Sequence, residues 1–392
     1  MPRFPVPAVL SLLFAGAFVM GSAEMLVVGL LDLIAADLRV SAPAAGALVT
    51  ANAIGLALGG PLLTLATARI GRRTVLIGAI LVFLVATLPP LLGTDLAPFL
   101  VLRVIAGAAQ GLYIAAAITL ATTISPPERA GRAMGIVISG FASASALGLP
   151  LGTLLGQSTG WRGAYAAVVA VGAVLLLLSL AMVPATPAPP AEGGALGLLR
   201  HALSPRVLLV LTIGLVLFAG SQSAVTYLVP LLAERSGVDG AGVSAYLLAY
   251  GVATTGGSFL GGRFADRDAG SALTAGALGV TASLILLQLL GSFPVGVFAA
   301  ILGIGFFLMS AAPAMQHRVA ALSGPGGPLA AALPASAVNV GIALGSAAGG
   351  WTIDAAGIGY VAITGAVLAA AAAVLALVAR PRRRPADLVA SA

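Results

Sequence analysis

The run between Pro7 and Arg39 constrains this chain most. It contains AVLSLLFAGAFVMGSAEMLVVGLLDLIAADL and is long enough to cross a bilayer, which takes about 20 predominantly apolar residues. Two acids, Glu24 and Asp32, interrupt it. A charged side chain at the centre of a hydrocarbon layer costs about 2.5–3.5 kcal/mol on insertion scales. A chain that keeps an acid there has either satisfied it against a neighbouring helix or uses it as a proton or substrate site.

The remainder of the chain is built the same way. Hydrophobic residues make up 60% of it and charged residues only 8%, against about 25% charged in a soluble domain. Such a chain cannot cover a water-facing surface and is expected to lie in the membrane. The absence of cysteine excludes disulfides, thiolate metal sites and a cysteine nucleophile. With two histidines, His201 and His317, both near connecting segments, no metal site is expected. The net charge of +7 raises the question of a nucleic-acid partner, but the placement of the charges argues for membrane topology instead. Arg3, the apolar run and Gly21-Ser22-Ala23 imitate a signal peptide. That reading fails because the apolar run continues past them and further spans follow.

Charges and Pro/Gly clusters divide the sequence into twelve apolar segments, approximately 8–34, 43–67, 74–93, 97–121, 133–156, 163–184, 207–232, 241–262, 271–291, 293–313, 328–350 and 357–379. In lipid only helices or closed barrels satisfy the backbone, and the period-2 alternation of a barrel strand is absent. With the N-terminus placed inside, fifteen arginines fall on the cytoplasmic side and three, Arg39, Arg162 and Arg235, on the outer side; Arg103 lies within a span. This asymmetry predicts that both termini are cytoplasmic.

The Pro/Ala/Gly-rich stretch 185–206 falls between the sixth and seventh segments, so residues 1–184 and 207–392 read as two six-helix bundles joined by a cytoplasmic linker, the second ending in a short basic tail. The bundles look like repeats. Gly148, Gly152 and Gly156 return as Gly341, Gly345 and Gly349 at an offset of 193, and Tyr165 returns as Tyr360. Arg69 in ARIGRR corresponds to Arg267 in DRDAG, at an offset of 198. The expected fold is therefore all-α: twelve transmembrane helices in two pseudo-symmetric six-helix bundles, a known transporter design with its site at the interface of the repeats.

Three stretches carry a family resemblance. GSAEMLVVGLLDLIAADLRVS resembles the first-helix motif of the drug:proton antiporters of the major facilitator superfamily, with Asp32 where proline is usual. ATARIGRRT resembles the superfamily's Asp-Arg-x-Gly-Arg-Arg loop, with Ala68 in place of the aspartate; the second copy, GGRFADRDAG, keeps Asp266. ALGLPLGTLLGQSTGWR resembles the antiporter motif, with Pro150 two residues after Gly148. The likeness covers nearly the whole length and is strongest to the arabinose-efflux-like and chloramphenicol-exporter-like branch. It implies a secondary active transporter in the cytoplasmic membrane. Such a carrier would export a small, moderately lipophilic drug, antibiotic or metabolite in exchange for protons, as a monomer and without a cofactor.

Roles can then be assigned. Glu24, Asp32 and Arg103 are the candidate proton-coupling residues. On a continuous helix Asp32 lies about 12 Å beyond Glu24 and about 80° round from it, so the acids do not touch and Asp32 nears the outer mouth. Arg103, in LVLRVIAGAAQGLYIA, resembles the arginine of the family's fourth-helix motif. A buried guanidinium needs a partner, and Glu24, Gln110 or carbonyls of the first span are within reach; the pair either tunes proton affinity or pins two spans together. Candidates for the cargo cavity are Asn52, Gln110, Tyr113, Gln222, Tyr227, Tyr246, Tyr250, Met309 and Asn339. The ladders Gly148, Gly152, Gly156 and Gly341, Gly345, Gly349 are packing faces, on which the halves of a rocking carrier would slide, and Pro150 bends its span by removing a donor, as Pro89-Pro90 would in the third. Arg69, Gly71, Arg72, Arg73 and Asp266, Arg267 form a cytoplasmic latch, capping helix ends and pairing with acids of the facing half.

Other readings are weaker. A proton-linked importer of a sugar or other nutrient needs more interior hydrogen-bonding groups. A membrane enzyme needs a catalytic cluster, and neither HExxH, a Ser/His/Asp set nor a phosphate loop is present. A receptor or structural protein gives no reason for Glu24 and Arg103, and a channel would show a ring of charge or a filter.

Overall fold

The computed structural model describes residues 4–93, 95–126, 129–185, 204–238, 240–322 and 333–379. Most of the linker expected at 185–206, and the basic tail from residue 380, lie outside the described residues. All regular elements among the described residues are helical. They are α1 (Val6–Gly29), α2 (Leu31–Leu38), α3 (Ala42–Ala66), α4 (Arg72–Thr87), α5 (Leu96–Ile124), α6 (Ala130–Ser143), α7 (Leu149–Met182), α8 (Pro205–Val225), α9 (Leu228–Leu231), α10 (Gly240–Leu290), α11 (Pro294–Leu322), α12 (Leu333–Ala356) and α13 (Val361–Val378). Short 3-10 or π turns join some of them.

Nine described helical stretches are long and apolar enough to cross a membrane. Two of these, of 53 and 49 residues, are long enough to cross twice and are broken at Gly160 (φ 79°) and Asp268 (φ −154°, ψ 91°). The 24-residue α12 is long enough for a further crossing. Twelve spans fit this arrangement. Gly160 and Gly357 (φ 93°) both adopt a positive φ, which L side chains resist and glycine does not. They stand at corresponding corners of the two sequence halves.

Three local expectations are corrected. The first span is not one helix: it breaks at Leu30 (φ −123°, ψ 20°) and resumes as α2, so the continuous-helix phase between Glu24 and Asp32 does not hold. Pro89-Pro90 do not kink a third span; α4 stops at Thr87 and the prolines open a 3-10 turn, because a proline supplies no N–H to extend the ladder. Pro150 acts through what precedes it: Ala144–Gly148 widen into a π turn before α7.

Backbone contact through glycine sets the packing. Gly55, Gly59 and Gly60 of α3 meet Val104, Ala108 and Gly111 of α5, and Gly107 rests on the backbone of Asn52. Small residues four apart let two helices approach this closely. The two ladders singled out in the sequence pack within their own halves and not between them. Gly148, Gly152 and Gly156 lie on Ser22, Leu26 and Leu30, and Gly341, Gly345 and Gly349 on Leu215, Ala219 and Ser223 of α8. They are therefore not faces on which the halves slide.

Contacts between the sequence halves use other residues. Ser346 donates to the Gly46 carbonyl at 3.0 Å and Thr50 to Ala343 at 3.4 Å. Tyr227 packs against Gly46 and Gly350, and Gly251 of α10 meets Ser145 and Ala146 in the π turn. The α3–α12 bonds fall in the N-terminal half of α3, toward the end of the bundle that carries Arg39, Arg162 and Arg235.

Candidate functional site

The site is built along the seam between α1 and α5. Arg103 and Gln110 are seven residues apart, about two helical turns, so they share a face. Arg103 donates through Nη1 to the Ala23 carbonyl at 3.2 Å, Gln110 through Nε2 to the Met20 carbonyl at 2.6 Å, and Tyr113 through its hydroxyl to the Leu13 carbonyl at 3.1 Å. Asn52 of α3 completes the row, its Nδ2 donating to Gln110 Oε1 at 2.9 Å. All are buried.

Glu24 lies one residue beyond Ala23. It is 5% exposed and Arg103 is 3% exposed. Oε2 of Glu24 has no hydrogen-bond partner, nor do Nε and Nη2 of Arg103 or Oδ1 of Asn52. Arg103 is the cation that acts on Glu24, yet the two form no direct ion pair. Burial works against the charged form of a carboxyl and a nearby cation works for it; Glu24 is under both influences. A charged group buried without a partner is costly, and Oε2 of Glu24 with Nε and Nη2 of Arg103 are the unmet groups of this cluster.

The other sequence candidates divide. Asp32 is exposed at the start of α2 and does not join Glu24. Tyr227 donates to the Ser346 carbonyl at 2.9 Å and Tyr246 to the Pro294 carbonyl at 3.0 Å. Tyr250 packs on Gly305, and Asn339 donates to Ala335 in its own helix at 2.9 Å. Met309 is half-buried on α11. Gln222 is buried with Oε1 unpartnered, and the hydroxyls of Ser221 and of Thr226, the C-cap of α8, are also unpartnered, so the free polar atoms of this region gather at the C-terminal end of α8.

Of the latch candidates, Arg69, Asp266 and Arg267 are exposed, and Gly71 is the N-cap of α4. Arg72 has a buried, unpartnered Nε. Arg73 donates to the Leu180 carbonyl at 2.6 Å, at the C-terminus of α7 in its own half. In the second loop the capping falls to Asp268, which accepts from the amides of Gly270 and Ser271 at 2.9 and 3.0 Å.

A cluster that the sequence reading missed joins α2 to α7. Asp37, beyond the apolar segment, pairs with Arg162 and accepts from Trp161 Nε1 at 3.1 Å. Arg162 also lies over the Trp161 ring, at 4.5 Å, and donates to the Gly93 carbonyl at 2.7 Å. Trp161 stacks on Phe99 at 5.7 Å, and Tyr165 meets both rings edge-on. An acid and a Trp-Arg pair on two connections at the same end of the bundle was the available signal. The Trp161 N–H, then the Arg162 guanidinium, hold the Asp37 carboxyl below the usual carboxylate range. Its contribution is therefore complete at neutral pH and is lost only as pH falls through that lowered value; being exposed, the pair contributes little. In Trp351→Phe, which leaves Trp161 as the one tryptophan, emission should stay flat through the ordinary carboxylate range and change below it. A transition within that range, or one unaltered by Asp37→Asn, contradicts this.

Residues 13–326 match the sequence profile of the Major Facilitator Superfamily. The chain belongs to that family. Among similar proteins is the MFS-type transporter YtbD of Bacillus subtilis (strain 168), 30% identical, with 94% of each chain covered. Another is the chloramphenicol resistance protein of Streptomyces lividans, 29% identical, with 87% of this chain and 88% of that one covered. The crystal structure of a bacterial homologue of the human lysosomal transporter Spinster, inward-facing and unoccupied, superimposes with a TM-score of 0.77 at 16% identity, covering 95% and 96% of the two chains, a likeness of fold alone. This Major Facilitator Superfamily protein is a multi-pass membrane transporter and not an enzyme.

Proposed function

We propose that this transporter exports a small, moderately lipophilic molecule in exchange for protons by alternating access, with Glu24 as the proton carrier and Arg103 as its counter-charge. Glu24 carries the reading: a carboxyl inside the bundle with Oε2 unpartnered, beside a guanidinium that is bonded elsewhere. Asp32, exposed beyond the break, is the proposed point of proton access. Asn52 and Gln110 extend the polar row. Ser221 and Gln222 of α8 and Thr226 at its C-cap would anchor the few polar groups of a cargo that is otherwise held by apolar surface. The chloramphenicol resistance relative supports export of such a molecule. Residues 1–184 and 207–392 would rock as two bundles about the 185–206 linker, in the cytoplasmic membrane with both termini inside. The protein would act as a monomer, with the proton gradient and no cofactor as its energy source, and bind no nucleic acid.

Inverted vesicles carrying the protein and acidified inside should accumulate one or more compounds from a panel of dyes and antibiotics that includes chloramphenicol. A protonophore should abolish that uptake. Accumulation indifferent to the protonophore would sink the proposal.

A further inference from the structure

The Ala23 carbonyl is a crowded acceptor. Arg103 Nη1 reaches it at 3.2 Å and the Tyr165 hydroxyl at 3.1 Å. Ala23 lies inside α1, where a helical carbonyl also accepts from the amide four residues on, here Val27. Three donors thus converge on an oxygen with two lone pairs. The hold on Arg103 is correspondingly weak, and the guanidinium keeps two free donor groups while Glu24 keeps a free acceptor.

We infer that Tyr165 is a positioning residue for the Glu24–Arg103 site: its hydroxyl keeps the Ala23 carbonyl satisfied and so frees Arg103 to swing onto Glu24 when that carboxyl loses its proton. This rests on the proposed role of Glu24. Without the tyrosine, leaving Ala23 would empty the second lone pair of a buried carbonyl whose only other donor is the Val27 amide, and Arg103 would be held where it is. Tyr165 is itself fixed by ring contacts with Phe99 and Trp161 at 6.3 and 6.0 Å, which a phenylalanine would retain.

The surroundings leave few competitors for this role. Arg103 from α5 and Tyr165 from α7 are the titratable groups that bond beside Glu24. Tyr113, also on α5, bonds at Leu13, eleven residues or about 16 Å down the helix. From α3 comes neutral Asn52. Arg132 on α6 is exposed, and so are Asp32 and Asp37 of α2, beyond the break at Leu30. The π turn and α9 carry no titratable side chain.

Infrared titration of the reconstituted protein tests this without a cargo. The protonated-carboxyl band that is present in the parent and missing from Glu24→Gln reports Glu24. In Tyr165→Phe the midpoint of that band should move to higher pH by about 0.5–1 unit, the span that one hydrogen bond supplies, with thermal stability near that of the parent. An unmoved or lowered midpoint overturns the inference and leaves the proposed role of Glu24 standing. A parent in which no such band titrates overturns both.

Discussion

Glu24→Gln should reduce pH-gradient-driven accumulation in inverted vesicles to the level of vesicles without the protein, while downhill exchange of cargo persists. The amide matches the carboxyl in shape and cannot give up a proton, so the substitution removes one property. Glu24 is buried with Oε2 unpartnered; no structural hydrogen bond of that oxygen is lost with it, and the protein should fold and bind as before. The alternative reading, a carboxyl that merely pins α1 to α5, makes a different forecast. That pinning is already provided by Arg103, Gln110 and Tyr113, each bonded to a backbone carbonyl of α1. Under it, the glutamine variant should still be driven by the gradient. Asp32→Asn provides the contrast: with its side chain exposed, it should slow transport without uncoupling it. Full gradient-driven uptake by Glu24→Gln would end the antiport proposal.

Gly107→Ala should lower the unfolding temperature by several degrees, where Gly78→Ala should leave it unchanged or raise it. A Cβ on Gly107 would run into the carbonyl of Asn52 and the amide of Leu56, which are backbone atoms and cannot turn aside; one on Gly78 meets nothing. Forcing volume into a packed seam costs about 1–3 kcal/mol. On an unobstructed helical face, alanine gains about 0.8–1 kcal/mol over glycine. The two substitutions therefore have opposite signs. Equal melting of the variants in one detergent would mean that α3 and α5 are not in backbone contact.

What could be read from the sequence follows the energetics of a membrane. A charge inside an apolar run is costly wherever the helix lies, so Glu24 and Arg103 stood out before any contact was known. Their actual relation was not legible, because Arg103 bonds a main-chain carbonyl and a sequence does not mark which carbonyl is taken. Tyr165 was noticed only as a repeat marker for the same reason. Asp32 shares the apolar run with Glu24, and the spacing and phase read between them rest on one continuous helix; nothing in GLLDL announces the turn at Leu30. The α3–α5 seam was written as plainly as the ladder in α7, since Gly55 and Gly59, and Gly107 and Gly111, are each four apart. In a chain with 51 glycines, spacing alone did not say which ladder meets which helix. The breaks at Gly160 and Asp268 agree with the division into segments, whereas Pro89-Pro90, read as a kink inside the third segment, follow the end of α4.

The fused pair of α3 and α5 has a mechanical meaning. α3 bears the carbonyl of Gly46 and the hydroxyl of Thr50, both bonded to α12, and α5 bears Arg103. With their backbones in contact along the glycine seam, the two would move as one stiff lever. Under the proposed alternating access, prising α3 from α12 would pull α5 with it, so that parting the bundles at that end and shifting the charge beside Glu24 would be a single stroke. If Glu24 carries the proton as proposed, a leak without cargo would require the lever to flex, which glycine packed on main chain resists.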